Sequence, residues 1–172
     1  METTVEQLKK ALEKKQNDFK TSTKIPEFAI HNDTEICGFF SSYRYLSNFW
    51  ACTIEYKGLI FPNVENAYQS YKYPENQREQ FVSITPFTAK KFGKFAPGFN
   101  KKEWDSSKYQ LMYDLVFIKF FTNNYLKQLL VDTKPKHLEE RNNWHDIWWG
   151  TDEKGNGQNN LGKILMDVRN KL

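Results

Sequence analysis

Hydrophobic residues recur along this chain at two spacings, and most of its elements can be read from them. Val5, Leu8 and Leu12 stand at helical spacing among Lys, Glu and Gln over residues 3–18, which predicts a short amphipathic helix with a thin apolar stripe. Such a helix packs on the domain or on a partner. Residues 17–35 are polar, contain Pro26 and keep no period, as a linker or surface strap does. The main domain is expected to begin at Ile36. Ile36–Phe40 and Cys52–Tyr56 read as short strands, with Lys57-Gly58 as a turn ahead of Leu59-Ile60-Phe61.

Helical periodicity covers Asn63–Tyr73, and further helical stretches are expected at 76–83 and 86–94. Beyond Ala96-Pro97-Gly98, a long helix is predicted from Trp104 to Phe121. Tyr109, Leu111, Met112, Leu115, Val116, Ile118 and Phe120 make it apolar nearly all round, the pattern of a central core element. A shorter helix should cover Tyr125–Val131. The last should run from Asn160 to the C-terminus, with Leu161, Ile164, Leu165 and Val168 as its inward stripe. The expected fold class is therefore α+β: a helix-rich single domain over 36–172 with a small β-sheet from the early strands, preceded by the helix and linker of 1–35.

Composition adds limits. A chain of 172 residues that is 16% aromatic can bury a sizeable core without disulfides or metals. The formal charge of +4 is mild and interspersed, so polyanion binding is permitted without being demanded. Cys37 and Cys52 have no repeated cysteine framework and no leader-like segment ahead of them, so reduced thiols and a cytoplasmic location are expected. No apolar run approaches the ~20 residues that span a bilayer, which gives a membrane role no support.

Two stretches could carry chemistry. On the helix after Pro62, Glu65, Gln69 and Lys72 fall at i, i+4 and i+7 beside the apolar stripe of Val64, Ala67, Tyr68 and Tyr71. A solvated face explains them on composition alone; a cleft-facing Glu65, oriented by Gln69 and Lys72, is the functional alternative. The second stretch, Trp144-His145-Asp146-Ile147-Trp148-Trp149-Gly150, sets three tryptophans and a carboxylate within six residues, just before Gly155-Asn156-Gly157. Flat rings beside a carboxylate suit a cleft that stacks a base or sugar, although Asp146 could equally cap the next turn. The Gly155–Gly157 turn could present backbone N–H groups to a phosphate at the start of the last helix. His31, His137 and His145 show no metal-ligand spacing and there is no serine elbow, so metal and acyl-transfer chemistry are poor fits. His145, next to Asp146, is a secondary candidate base.

These residues resemble the NADAR (YbiA-like) family from about Phe39 onward. The likeness is carried by Tyr45-Leu46-Ser47-Asn48-Phe49, by Gly58 followed by Pro62-Asn63-Val64-Glu65-Asn66-Ala67-Tyr68-Gln69-Ser70-Tyr71-Lys72, and by Ala89-Lys90-Lys91-Phe92-Gly93. Trp104 with Lys108 and Met112, Lys119-Phe120, and the whole of Glu140–Arg169 complete it. The resemblance implies a compact helix-rich α+β domain that acts as an N-glycosidase, without a cofactor, on ribosylated nitrogen compounds. It implies two substrates: ADP-ribosylated guanine in DNA, from which ADP-ribose is removed, and phosphoribosylamino pyrimidine intermediates of riboflavin synthesis. Non-catalytic binding of a nucleotide or ADP-ribose derivative is the reading from another class.

The family's functional residues fall on Glu65, Trp104 and Asp146, with Asn48, Lys72, Glu140, Trp149 and Asn159 in support; Gln69 and Gly157 join them from the spacing argument. Two positions depart from the family pattern: Lys94 stands where Arg is usual, losing a planar bidentate grip on phosphate, and Arg141 where glycine is frequent.

Overall fold

The structure, a computed structural model, describes residues 24–172. The amphipathic helix expected over 3–18 lies outside the described residues. The elements follow in the order β1 (Ile30–His31), β2 (Glu35–Cys37), β3 (Ile54–Tyr56), β4 (Leu59–Phe61), α1 (Val64–Ser70), α2 (Pro86–Gly93), α3 (Lys101–Phe121), α4 (Asn124–Val131), β5 (His137–Glu139) and α5 (Asn160–Lys171). Two 3-10 helices, Ser41–Leu46 and Glu75–Phe81, lie among them. The described residues form two compact units. Phe49–Ser106 make the first; the described residues up to Asn48 and Ser107–Leu172 make the second, so that α3 begins in one and ends in the other.

In the first unit, β3 and β4 form a hairpin with Ile54 opposite Phe61 and Tyr56 opposite Leu59. Lys57 and Gly58 close it with successive positive φ angles of 47° and 81°, the paired left-handed geometry of a two-residue turn that follows strand twist. Period-two alternation then sorts the faces: Ile54 and Phe61 are fully buried, while Ile60 between Leu59 and Phe61 is 61% exposed. The hairpin leads directly into α1, whose seven residues are all buried, and α1 packs on α2. The stretch expected to be helical at 76–83 is a 3-10 helix. Its Phe81 carbonyl and that of Ile84 are bonded by Asn66 Nδ2 of α1 at 2.7 Å each.

The second unit holds a three-stranded sheet in the order β1-β2-β5, with β1 antiparallel and β5 parallel to β2. The expected sheet of early strands is thus corrected. Its third strand comes from a hundred residues downstream, and the 54–61 hairpin is a separate two-stranded sheet. Ile36 and Leu138 pair at its centre without exposure, and α5 covers β5 with Leu161, Ile164, Leu165 and Val168 all fully buried.

The long helix also differs from its expected form. Its buried residues are Leu111, Met112, Leu115, Val116, Lys119 and Phe120, one face at i, i+1, i+4, i+5, i+8 and i+9. Tyr109 and Phe121 are 40% and 56% exposed, so the helix is amphipathic rather than apolar all round. Aromatic residues on its outer face had hidden the polar side. The buried face includes a lysine: Lys119 Nζ donates to Ser47 O at 2.8 Å. No helix among the described residues is long and apolar enough to cross a membrane.

Both cysteines are free thiols. Burial, then the hydrogen bond to Glu35 and the charge of Glu139, push the Cys37 thiol up to about 12, which makes it inert. On the neighbouring strand, Glu139 Oε1 accepts from Arg141 Nε at 2.7 Å and from the Thr151 hydroxyl at 2.6 Å. Arg141, one of the departures from the family pattern, therefore has a structural partner.

Two outcomes follow from this arrangement. Leu115→Ala should destabilise the protein by about 2–5 kcal/mol in denaturant titration, whereas Phe121→Ala on the outer face should cost no more than about 1 kcal/mol. Burial alone would raise the titration of Glu139, but the bonds from Arg141 and Thr151, with the charges of Arg141 and His137, outweigh it and hold the carboxyl below its ordinary value. Its contribution to stability is then complete above the unfolded-state value and is lost as the pH falls through the lowered folded one. Acid titration of stability should therefore be steeper for the wild type than for Glu139→Gln; coincident profiles would show that the pair contributes nothing.

Candidate active site

The first group of candidate residues is built on α1. Asn63 caps this helix, its Oδ1 accepting from Asn66 N at 2.8 Å. Burial of every residue from Val64 to Ser70 excludes the solvated-face explanation of Glu65 and Gln69, which are each 6% exposed. Gln69 Nε2 donates to Glu65 Oε1 at 2.9 Å across one helical turn. The Gln69 Oε1 atom is buried without a hydrogen-bond partner.

One further turn along the chain, Lys72 Nζ donates to Gly93 O at 3.3 Å. Its ammonium lies 5.8, 5.9 and 5.2 Å from the ring centres of Tyr68, Phe99 and Trp104. Trp104 in turn meets Tyr68 at 4.9 Å and Phe99 at 6.0 Å, tilted by 58° and 59°. It sits in the first turn of α3, which starts three residues earlier than its sequence pattern suggests because Asn100 caps it, Oδ1 accepting from the amides of Lys102 and Glu103. Glu65, Gln69, Lys72 and Trp104 thus share the first unit, with a carboxylate at one end of α1 and a cation set in rings beyond the other.

The second group is the tryptophan loop of the second unit. Asn142, fully buried, organises it: Nδ2 reaches the carbonyls of Asp146 and Thr151 at 3.0 and 2.9 Å, and Oδ1 accepts from the amides of Trp144 and Asp146 at 3.2 and 3.1 Å. Between those two amides, exposed His145 has a positive φ of 63°. Asp146 Oδ1 accepts from Trp149 N at 2.9 Å, so this carboxylate does cap the following turn. Trp149 stacks on Tyr109 at 6.4 Å and 18°, Trp148 meets it edge-on at 4.5 Å, and Lys108 Nζ lies 3.9 Å from the Trp148 ring centre.

The same loop corrects the expectation of a phosphate cradle. The amides of Gln158, Asn159, Asn160 and Leu161 donate to the carbonyls of Ile147, Gly150, Trp148 and Trp149 at 2.8–3.4 Å. In the turn itself the amides of Gly155 and Asn156 donate to Asp152 O and Oδ1 at 3.0 and 2.8 Å, so these N–H groups, like those of Asn160 and Leu161 at the helix start, are taken within the chain. Gly157 serves that closure: a Cβ there would stand 2.4 Å from Gly150 O and 2.8 Å from Thr151 Cα.

Asn159 is also committed. Its Oδ1 accepts from Glu140 N at 3.1 Å and its Nδ2 donates to Leu138 O at 2.9 Å. Asn48 is different: Nδ2 reaches Met112 Sδ at 3.3 Å, while Oδ1 is buried with no hydrogen-bond partner. Glu140 is half-buried, its main-chain carbonyl accepting from Thr151 N. Asn142 was not singled out from sequence, though an asparagine before a tryptophan loop carries the signal of a side-chain-capped turn.

The chain has relatives among known proteins. It is 33% identical to the N-glycosidase YbiA of Escherichia coli (strain K12) over 148 residues, covering 83% of this chain and 91% of that protein. The solution NMR structure of E. coli YbiA superposes with a TM-score of 0.71 at 32% identity, over 84% of this chain and 88% of that one. A riboflavin biosynthesis protein of Vibrio vulnificus is 29% identical over 133 residues, which is 76% of this chain and 36% of that larger protein. Relatives of N-glycosidase type thus span nearly its whole described length, and the sequence pattern of the NADAR domain matches residues 31–172: the chain belongs to the NADAR domain family.

Proposed function

We propose that this protein hydrolyses a ribosyl C–N bond, and that its substrate is ADP-ribosylated guanine in DNA, from which it removes ADP-ribose. The observation that carries the reaction type is Glu65: a carboxylate 6% exposed, in the first turn of a wholly buried helix and held by the Gln69 amide at 2.9 Å. Burying a carboxylate is costly unless it is paired or hydrogen-bonded, and carboxylates held this way cluster at functional sites. As the ribosyl C–N bond breaks, positive charge develops at the anomeric carbon. A fixed carboxylate stabilises that charge and accepts a proton from the attacking water. Water oxygen bonds to the anomeric carbon, the bonding electrons leave with the base nitrogen, and that nitrogen gains a proton. Glu65 or Asp146 performs the proton abstraction, and the other binds ribose hydroxyls or protonates the leaving nitrogen. Trp104 stacks the base or ribose, Lys72 meets phosphate charge, and the open Asn48 Oδ1 accepts from a hydroxyl.

DNA as the carrier of the adduct is supported by the segment from the end of α2 to the start of α3. Phe95 is 75% exposed and Phe99 41% exposed, and exposed Lys91 and Lys94 precede them while exposed Lys101 and Lys102 follow. Rings that stack bases and cations that meet phosphates are what a strand requires. The riboflavin-related name of the Vibrio relative favours a second reading, hydrolysis of a phosphoribosylamino pyrimidine.

Incubation with guanine-ADP-ribosylated DNA, followed by chromatography with mass detection, should release free ADP-ribose. Glu65→Gln should lower turnover at least about a hundredfold with binding retained, and Trp104→Ala should weaken binding by about 1–3 kcal/mol. Release of free base from the ribosylamine but none from DNA would select the second reading. Full activity of Glu65→Gln would remove Glu65 from the chemistry.

A further inference from the structure

Gly93 ends α2, and its φ lies outside the left-handed region, so nothing in its backbone requires glycine. Alanine is the better helix former. The reason for glycine is space: a Cβ at this position would stand 1.7 Å from Gln69 Oε1 and 2.6 Å from Gln69 Cδ, well inside van der Waals contact. The missing methyl is the room in which the Gln69 carboxamide lies.

That room sets the donor of Glu65. Gln69 carries its amide on three rotatable bonds, and on α1 alone nothing selects one rotamer over the others. Against Gly93 the carboxamide has its oxygen turned to the glycine and its Nε2 turned to Glu65 Oε1 at 2.9 Å. The same residue also receives Lys72, whose Nζ donates to Gly93 O at 3.3 Å. Gly93 thus seats the Gln69 carboxamide by its missing side chain and accepts Lys72 at its main-chain carbonyl. We infer that Gly93 is a positioning residue for the reaction, holding Glu65 in orientation through Gln69. The inference rests on the reading of Glu65 as the reacting carboxylate.

Gly93→Ala displaces the carboxamide and removes its hold on Glu65. Its signature is spectroscopic: the Gln69 side-chain N–H that donates to the carboxylate gives a downfield amide proton in the wild type, identified by its loss in Gln69→Leu. In Gly93→Ala this signal should move to the free-amide position, with kcat reduced about ten- to a hundredfold and KM little changed. Gln69→Leu should give a loss of the same size, and the double variant should lose no more than either single one. An unmoved Gln69 signal in Gly93→Ala, or losses that add in the double variant, would overturn the inference. If Gly93→Ala does not fold, Gly93→Ala with Gln69→Ala should restore folding by emptying the contested space, and failure to do so would overturn it as well. A wild type with no N-glycosidase turnover would defeat the proposed function instead, and the Gln69 signal would still decide the role of Gly93.

Discussion

A seven-residue helix that carries Glu65, Asn66, Gln69 and Ser70 lies buried, and its polar side chains take their partners inside the protein, the Asn66 Oδ1 and Gln69 Oε1 atoms excepted. A buried polar atom left unmatched costs about 1–3 kcal/mol, so α1 fixes the positions of whatever surrounds it. Asn66 ties the end of the 3-10 helix and the turn before α2 to α1 through the Phe81 and Ile84 carbonyls, and the Ser70 hydroxyl returns to Ala67 O. Gln69 spends its amide protons toward Glu65 and requires a glycine on α2 for the remainder of its carboxamide. Polar side chains of α1 thus fix positions in the first unit alongside its apolar core of Ile54, Phe61, Val64, Ala67 and Phe81.

The second unit applies the same rule to main-chain atoms. A helix start leaves its first amides without partners, and α5 meets this need with carbonyls of the tryptophan loop instead of a single capping side chain: Asn159 before it makes no cap bond. The loop and the helix therefore form together. Asn142 threads the loop from inside, and Gly150 lets it approach, since a Cβ there would stand 2.1 Å from Glu140 O. The conjunction of tryptophans, glycines and a following helix in one stretch of sequence reflects this mutual closure.

Much of the architecture was legible in the sequence because helices announce themselves by period. The helices now labelled α1, α2, α4 and α5 begin within a residue of their expected starts, and the Lys57-Gly58 turn follows from its residue types. What escaped was non-local. β5 has three residues, too few for a period, and it becomes a strand only by pairing in parallel with β2 about a hundred residues earlier. Spacing alone left Glu65 and Gln69 open to both a solvated and a cleft-facing reading, because it reports which face a side chain takes, not what covers that face. Gly157 read as a phosphate cradle for a related reason: glycine composition signals close approach, and here the approaching group is the protein's own carbonyl.

The two carboxylates that carry the proposed chemistry are held in different ways, and the difference bears on their division of labour. Asp146 is fixed by a main-chain amide within a loop whose carbonyls close α5, so it cannot move without loosening that helix start. Glu65 receives a neutral side-chain amide that is itself seated against Gly93. A neutral donor orients a carboxylate without neutralising its charge, which is what the proposed proton abstraction needs. The dependence of Glu65 on Gln69, and of Gln69 on Gly93, follows from building that donor out of a side chain.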